Sequence, residues 1–270
     1  MMSRQRKIGI SIVFILTVMG STLSLQAQQD NAGRGTIVTD RPDATEAPTL
    51  VPKGYLQVET GGLYESLDDN NVKLERSVYN TTLLRYGLLD NMELRVGWNL
   101  ETRRTTIGGL GTVRELNGFS PLLLGVKVGI AEEKNGAPEI GLIGHLFLPL
   151  TASDDFRPQT TGADFRFAFS HTLSDKSNLS YNLGAQWGND SPELAYIYTV
   201  AFGHSITEKF GFYAELYGDF PENTTANHFF DTGVTYLLQP NIQLDATIGK
   251  GITDDQDILF SAGISFRLPN

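Results

Sequence analysis

The sequence predicts an all-β protein, an antiparallel transmembrane outer-membrane β-barrel of about 12 strands. Apolar and polar residues alternate along twelve segments between Gly54 and Leu268, and turn-forming clusters separate these segments. Most segments are near the roughly 9–11 residues with which a tilted strand crosses a bilayer. Several connections after odd-numbered segments are longer than those after even-numbered ones, which is typical of external loops and periplasmic turns.

The first 27 residues are predicted to be a secretory signal peptide. Arg4, Arg6 and Lys7 form a basic start, an apolar run follows from Ile8 to Met19, and a small polar stretch ends at Ala27. We expect cleavage after this stretch. Removal of three cationic residues changes the formal charge from −10 to −13, and an acidic exported chain is not expected to bind nucleic acid.

Residues 28–53 form an irregular N-terminal segment, which is polar and contains Pro42, Pro48 and Pro52. Proline at this density disfavours a regular helix or strand. The segment is expected either to trail in the periplasm or to enter the barrel as a small plug, and both alternatives stay open. The barrel itself is predicted to comprise residues 54–270.

Each predicted strand has one apolar and one polar face, because successive side chains of a strand point to opposite sides. In the last strand Ile258, Phe260 and Ile264 alternate with Ser261 and Ser265. Lipid offers no hydrogen bonds, so the apolar face should contact outer-membrane lipid and the polar face should line the lumen. The predicted strands are 54–64, 72–86, 92–104, 119–131, 138–149, 163–173, 179–188, 194–204, 210–218, 228–238, 242–250 and 257–268.

The charged residues of the polar face are the candidate functional residues, since a charge inside a barrel must be paired or hydrated. The candidates for a solute path are Glu59, Arg85, Glu93, Arg95, Lys127, His145, Arg166, Glu215, Asp231 and Asp245. They favour either a constricted pore whose mixed charges select solutes or a salt-bridged lumen with a structural role. A barrel of twelve strands is intermediate in diameter between small barrels, whose interior is filled by side chains, and large porins, which enclose an aqueous channel. Both alternatives therefore remain. Lys73 and Glu75 are also expected on this face.

The sequence contains no catalytic motif, and we expect neither an enzyme nor a cofactor. The absence of cysteine excludes disulfides, thiolate metal sites and a lipoprotein anchor. His145, His171, His204 and His228 lack the spacing of metal ligands, and no nucleophile-elbow motif is present.

Several short motifs resemble the outer-membrane family named for the MetA pathway of phenol degradation. The motifs, in order, are Thr39-Asp40-Arg41-Pro42-Asp43, Gly54-Tyr55-Leu56-Gln57-Val58-Glu59, Leu84-Arg85-Tyr86-Gly87-Leu88, Glu93-Leu94-Arg95, Gly125-Val126-Lys127, Phe147-Leu148-Pro149 and Phe212-Tyr213-Ala214-Glu215. The resemblance implies a barrel in the bacterial outer membrane that moves small compounds, aromatic or hydrophobic ones among them. It transfers no catalytic residue.

The sequence therefore predicts an outer-membrane channel or transporter for small solutes. One alternative is a structural barrel with a plugged lumen. A barrel hydrolase such as a phospholipase would need a serine and a histidine together at the outer end of the apolar face, whereas His171 and His204 are predicted at the other end. A soluble periplasmic β-sandwich or lipocalin-like binder would bury the apolar face instead.

Overall fold

The computed structural model describes residues 35–188, 190, 193–253 and 256–269, so the predicted signal peptide lies outside the described residues. Within these residues the fold consists almost entirely of antiparallel strands. They are β1 (Leu56–Asp69), β2 (Val72–Leu89), β3 (Met92–Ile107), β4 (Gly111–Phe119), β5 (Leu122–Ala131), β6 (Glu139–Leu148), β7 (Gly162–Ser174), β8 (Ser177–Trp187), β9 (Leu194–Ser205), β10 (Phe210–Pro221), β11 (Asn227–Gln239), β12 (Ile242–Gly251) and β13 (Gln256–Leu268).

The sheet closes on itself, which confirms the predicted barrel. Apart from β4 and β5, consecutive strands pair with one another, and β1 pairs with both β2 and β13. The ring is completed where β3 pairs with β5, since Glu93 lies opposite Lys127. Closure removes the free sheet edges that would otherwise leave backbone groups unpaired in lipid.

β4 and β5 together form the fourth strand of the twelve-stranded ring. β3 pairs first with β4, with Leu100 opposite Phe119, and then with β5, with Gly97 opposite Leu123. Pro121 separates the two strands, and proline cannot donate to the ladder. The sequence predicted a long external loop between the segments 92–104 and 119–131, and this was wrong: β3 and β4 continue there as a hairpin that projects beyond the ring.

A β-bulge in β2 explains why the expected luminal position of Lys73 and Glu75 was wrong. The pairing of β2 with β3 shifts register between Val78 and Asn80, and such a shift moves every later side chain to the opposite face. Lys73 and Glu75 therefore do not share the luminal face. Glu75 accepts a hydrogen bond from Tyr64 at 2.8 Å, on the outer side of the barrel.

The two ends of the barrel differ, as the spacing predicted. Two-residue turns join β2 to β3 and β11 to β12 at one end, the short-turn end, while the 149–161 connection at the other end contains two 3₁₀ helices, Pro149–Thr151 and Asp154–Phe156. The β1–β2 connection at this long-loop end is only Asn70-Asn71. Their φ angles of 47° and 77° suit a type I′ hairpin turn.

Burial in this barrel is inverted relative to a soluble protein. The largest fully buried side chains include Arg85, Arg95 and Lys127, whereas Leu146 and Phe165 are among many exposed apolar residues. This distribution excludes the soluble sandwich, whose apolar face would form the core. An outer-membrane location follows, because lipid is the solvent that suits such a surface. No helix in the described part of the chain is long and apolar enough to span a membrane.

Candidate functional site

Residues 35–53, here called the luminal segment, occupy the barrel interior. The segment enters at the short-turn end, where the backbone N–H of Ile37 donates to Pro240 O at 2.8 Å. It leaves at the same end, where Lys53 forms a β-bridge with Gly87. Between these points it has no helix or strand. The chain therefore rises into the lumen and returns before β1 begins.

Asp40 of the luminal segment is the centre of a buried charge cluster. Its carboxylate lies 2.7 Å from Arg95 Nη1, 3.1 Å from Arg85 Nη1 and 2.9 Å from Lys127 Nζ. Burial alone would raise the pKa of Asp40, but the positive charges of Arg85, Lys127 and Arg95 outweigh burial and hold this pKa well below its usual range.

Two wall carboxylates complete the cluster. Glu93 Oε1 accepts from Arg85 Nε at 2.8 Å, and Glu59 Oε1 accepts from Arg85 Nη1 at 2.9 Å. With Asp40, three carboxylates thus face the three cations, which is the balance that buried charges require. Glu93 also accepts the backbone N–H of Val51 at 2.8 Å, so the cluster binds the returning part of the luminal segment.

Arg41 of the luminal segment contacts the barrel wall at β12 and β2. Its Nη2 lies 2.9 Å from Asp245 Oδ1, and its Nη1 donates to Thr81 Oγ1 at 2.9 Å. The side chain passes over the paired residues Gly61 and Gly263. A Cβ at Gly61 would lie only 2.6 Å from Arg41 Nη2, so glycine is needed for this close approach.

The far wall binds the tip of the luminal segment through hydrogen bonds rather than ion pairs. Glu215 accepts from the backbone N–H of Ala44 at 2.8 Å and from the hydroxyl of Thr45 at 2.5 Å. The Asn182 amide bonds both the N–H and the C=O of Glu46, each at 2.8 Å. Strands β8, β10 and β12, together with the strands of the Asp40 cluster, therefore contact the same short segment.

A second group of charges lies beside the Asp40 cluster. Glu46 approaches Arg95 Nη2 at 2.7 Å and Arg166 Nη1 at 3.9 Å. His145 Nδ1 lies 3.1 Å from Asp164 Oδ1. Through Arg166, β7 therefore contacts the tip of the luminal segment, while the pair of His145 with Asp164 joins β6 to β7.

A cavity of about 350 Å³ remains beside the luminal segment, towards the long-loop end. Arg41, Glu46 and Arg95 line it together with the apolar side chains of Leu123 and Phe147. The lumen is therefore constricted rather than uniformly filled, with both charged and apolar surface around the remaining space.

All ten predicted residues lie on the luminal side. Glu59, Arg85, Glu93, Arg95 and Lys127 are brought together around Asp40, while Arg166, Glu215 and Asp245 each contact another part of the luminal segment. His145 pairs with Asp164, and Asp231 lies directly opposite Glu215. Their role in a solute path stays a prediction.

Sequence reasoning missed the partners that the luminal segment supplies: Asp40, Arg41, Glu46 and Thr45 were not assigned to any site. The only available signal was the Asp-Arg-Pro-Asp run at 40–43, which is unusually charged for a proline-containing stretch. Without strand periodicity, nothing indicated which wall residues this run would contact.

The features that a hydrolase would require are incomplete. Ser177 Oγ and His204 Nδ1 are 2.8 Å apart, but they lie at the short-turn end, and no carboxylate hydrogen-bonds His204 in the described part of the chain. Among the described residues, no group of three histidine, aspartate or glutamate side chains is arranged to hold a metal ion.

Comparison with known proteins identifies one sequence family. The family described as putative MetA-pathway of phenol degradation matches residues 39–268. The match begins within the luminal segment and ends at the last residue of β13. No curated protein is significantly similar to this chain.

Solved structures share the fold at low sequence identity. A crystal structure of an outer membrane channel from Pseudomonas putida F1 is 15% identical, with a TM-score of 0.64, and the match covers 86% of this chain and all (100%) of that one. KdgM porin, solved with oligogalacturonate, is 8% identical, with a TM-score of 0.51 and coverage of 78% and 98%. The β domain of the Bordetella autotransporter BrkA is 13% identical, with a TM-score of 0.52 and coverage of 79% and 99%.

Proposed function

This chain belongs to the family described as putative MetA-pathway of phenol degradation, and we propose that it is a passive outer-membrane channel for small solutes, aromatic compounds among them. The P. putida protein, which has the same fold, is itself described as an outer membrane channel. The solutes would enter from the long-loop end, where the 350 Å³ cavity lies, and the luminal segment would control their passage.

The observation that carries this proposal is how the luminal segment is bound. Between Val38 and Val51, no backbone-to-backbone hydrogen bond joins the described segment to the wall; its contacts run through side chains. Side-chain contacts can exchange for water as the segment moves, whereas a paired strand could not leave without opening the ladder. Movement of the segment would widen the lumen and leave the ring intact.

A disulfide that locks the segment tests this proposal. The hydroxyls of Thr45 and Thr199 are 2.7 Å apart, so the T45C/T199C variant places two thiols within bonding reach. The chain has no other cysteine, so the bond is unambiguous. We expect lower single-channel conductance in planar bilayers for the oxidised variant than for the reduced one.

The T45C single variant is the control, because it changes the segment without locking it. Equal, non-zero conductance of the oxidised and reduced double variant would mean that solutes pass beside a fixed segment. Absence of conductance in both forms and in the wild type would favour the second candidate, a structural barrel. The balanced charge cluster around Asp40 is the specific observation in favour of that candidate.

A further inference from the structure

The luminal face of β10 and β11 alternates aromatic and acidic side chains. On β10, Glu215 is followed two residues later by Tyr217 and then by Asp219. On β11, Phe229 is followed by Asp231. The register places Glu215 opposite Asp231 and Tyr217 opposite Phe229, so a pair of carboxylates lies next to a pair of rings, with the rings nearer the long-loop end.

No cation in the described structure neutralises the carboxylate pair. Glu215 and Asp231 are 1% and 3% exposed, and neither is part of a salt bridge between described residues. Strands β8, β9, β10 and β11 contain no lysine or arginine at all. Asp43 of the luminal segment adds a third carboxyl nearby. This wall contrasts with the balanced cluster around Asp40.

One oxygen of the pair has no partner. Oδ1 of Asp231 is buried and accepts no hydrogen bond from any described residue, whereas Glu215 accepts from Ala44 and Thr45. A buried carboxylate oxygen without a donor is costly in free energy. A positively charged group that reached Asp231 would remove this cost.

The aromatic pair above the carboxylates suits the rest of such a ligand. The rings of Tyr217 and Phe229 are stacked with centroids 5.1 Å apart and planes 18° apart, and both side chains are partly accessible. Asp219 lies next to them, where Asn227 Nδ2 donates to it at 2.8 Å. Aromatic faces attract cations and also bind apolar groups.

We propose that this face of β10 and β11 is a binding site for a small organic cation, an ammonium group attached to an apolar or aromatic body. The ammonium binds at Asp231 and Glu215, and the body contacts Tyr217 and Phe229. The inference deepens the proposed channel function, on which it rests for access from outside, by naming the charge of the favoured solute.

Calorimetric titration of the full chain, purified in nonionic detergent, tests the site independently of transport. Phenethylammonium is the probe, and 2-phenylethanol and phenylacetate are its neutral and anionic counterparts with a similar body. We expect binding of phenethylammonium to be stronger than that of either counterpart by about tenfold or more. Equal binding of all three, or preference for phenylacetate, would overturn the proposal.

D231N is the decisive variant, because it removes the negative charge of Asp231, whose Oδ1 accepts no hydrogen bond from a described residue. It removes a like charge from beside Glu215, so the barrel should still fold, which the heat-dependent shift of the barrel band in gel electrophoresis verifies. We expect phenethylammonium affinity to fall about tenfold, and E115Q on the projecting hairpin to leave it unchanged. The aromatic variant F229L should weaken binding less than D231N. Unaltered affinity in D231N would reject the site.

Bilayer conductance separates this inference from the proposed function. If the wild type binds phenethylammonium and D231N does not, but the wild type conducts no ions, the channel proposal is rejected and the binding site is retained. Conductance without selective binding of phenethylammonium would retain the channel and reject the site.

Discussion

Asp40 is the residue on which the contact between the luminal segment and the wall depends most. It is the only partner that Arg85, Arg95 and Lys127 share within the luminal segment as described. Removing one member of a buried ion cluster leaves uncompensated charge and typically costs about 3–5 kcal/mol. We therefore expect D40N to lower the free energy of unfolding in lipid vesicles by an amount of this order, and to raise single-channel conductance as the segment loosens.

D90N is the matched control for this variant. Asp90 is 90% exposed on the β2–β3 turn and lies 3.8 Å from Lys53, and an exposed pair of this kind contributes little to stability. D40N and D90N should therefore differ clearly in both measurements. If the two variants behave alike, the Asp40 cluster does not hold the segment.

For single residues, the luminal or lipid-facing orientation was predictable, because successive side chains of a strand point to opposite faces of the sheet. This alternation alone placed Arg85, Glu93 and Lys127 inside the barrel. Lys73 and Glu75 were misplaced, because the shift at Val78 and Asn80 leaves no clear signal in the sequence. The alternation therefore predicts the face on which a residue lies only as far as the next β-bulge.

Among the elements, the luminal segment and the β3–β4 hairpin were the hardest to predict, for opposite physical reasons. The segment is irregular and is held by contacts with residues up to about two hundred positions away, as in the pair of Arg41 with Asp245; sequence periodicity carries no information on such contacts. The hairpin has local pairing, but its polar composition and glycine-rich turn resembled an external loop.

The hairpin is expected to be dispensable for barrel assembly. The ring closes below it, where β3 pairs with β5, and Arg103 lies opposite Leu116 at its base. We expect a variant in which Asn-Gly replaces residues 104–115 to fold, because these two residues suit a type I′ turn. The measurements are the heat-dependent gel shift and the conductance, both of which should match the wild type.

Deletion of residues 122–133 is the control, since it removes a segment of the same length but eliminates β5 from the ring. This variant should fail to assemble. Failure of the shortened hairpin as well would mean that the projecting strands are part of the barrel's folding unit.

Over the whole molecule, the inverted burial is what a prediction from sequence captured best. Every strand contributes the same alternation, so errors in single boundaries or bulges do not change the sum: polar side chains inside, apolar side chains outside. Strand number and closure followed from that pattern and from the paired turn lengths. The content of the lumen did not follow, because it depends on one segment outside the pattern.

Lipid is the solvent of the outer face, and single arginine substitutions on this face test the membrane assignment. Val126 and Ile130 point outward from the same strand, Val126 near its middle and Ile130 one residue before its end. Arginine costs about 2–4 kcal/mol at the bilayer midplane and about 0–1 kcal/mol near the interfaces. We expect V126R to lower the free energy of unfolding in lipid vesicles by about 2–4 kcal/mol, and I130R to change it little. In water both positions would accept arginine easily, so equal, small effects would contradict the membrane assignment.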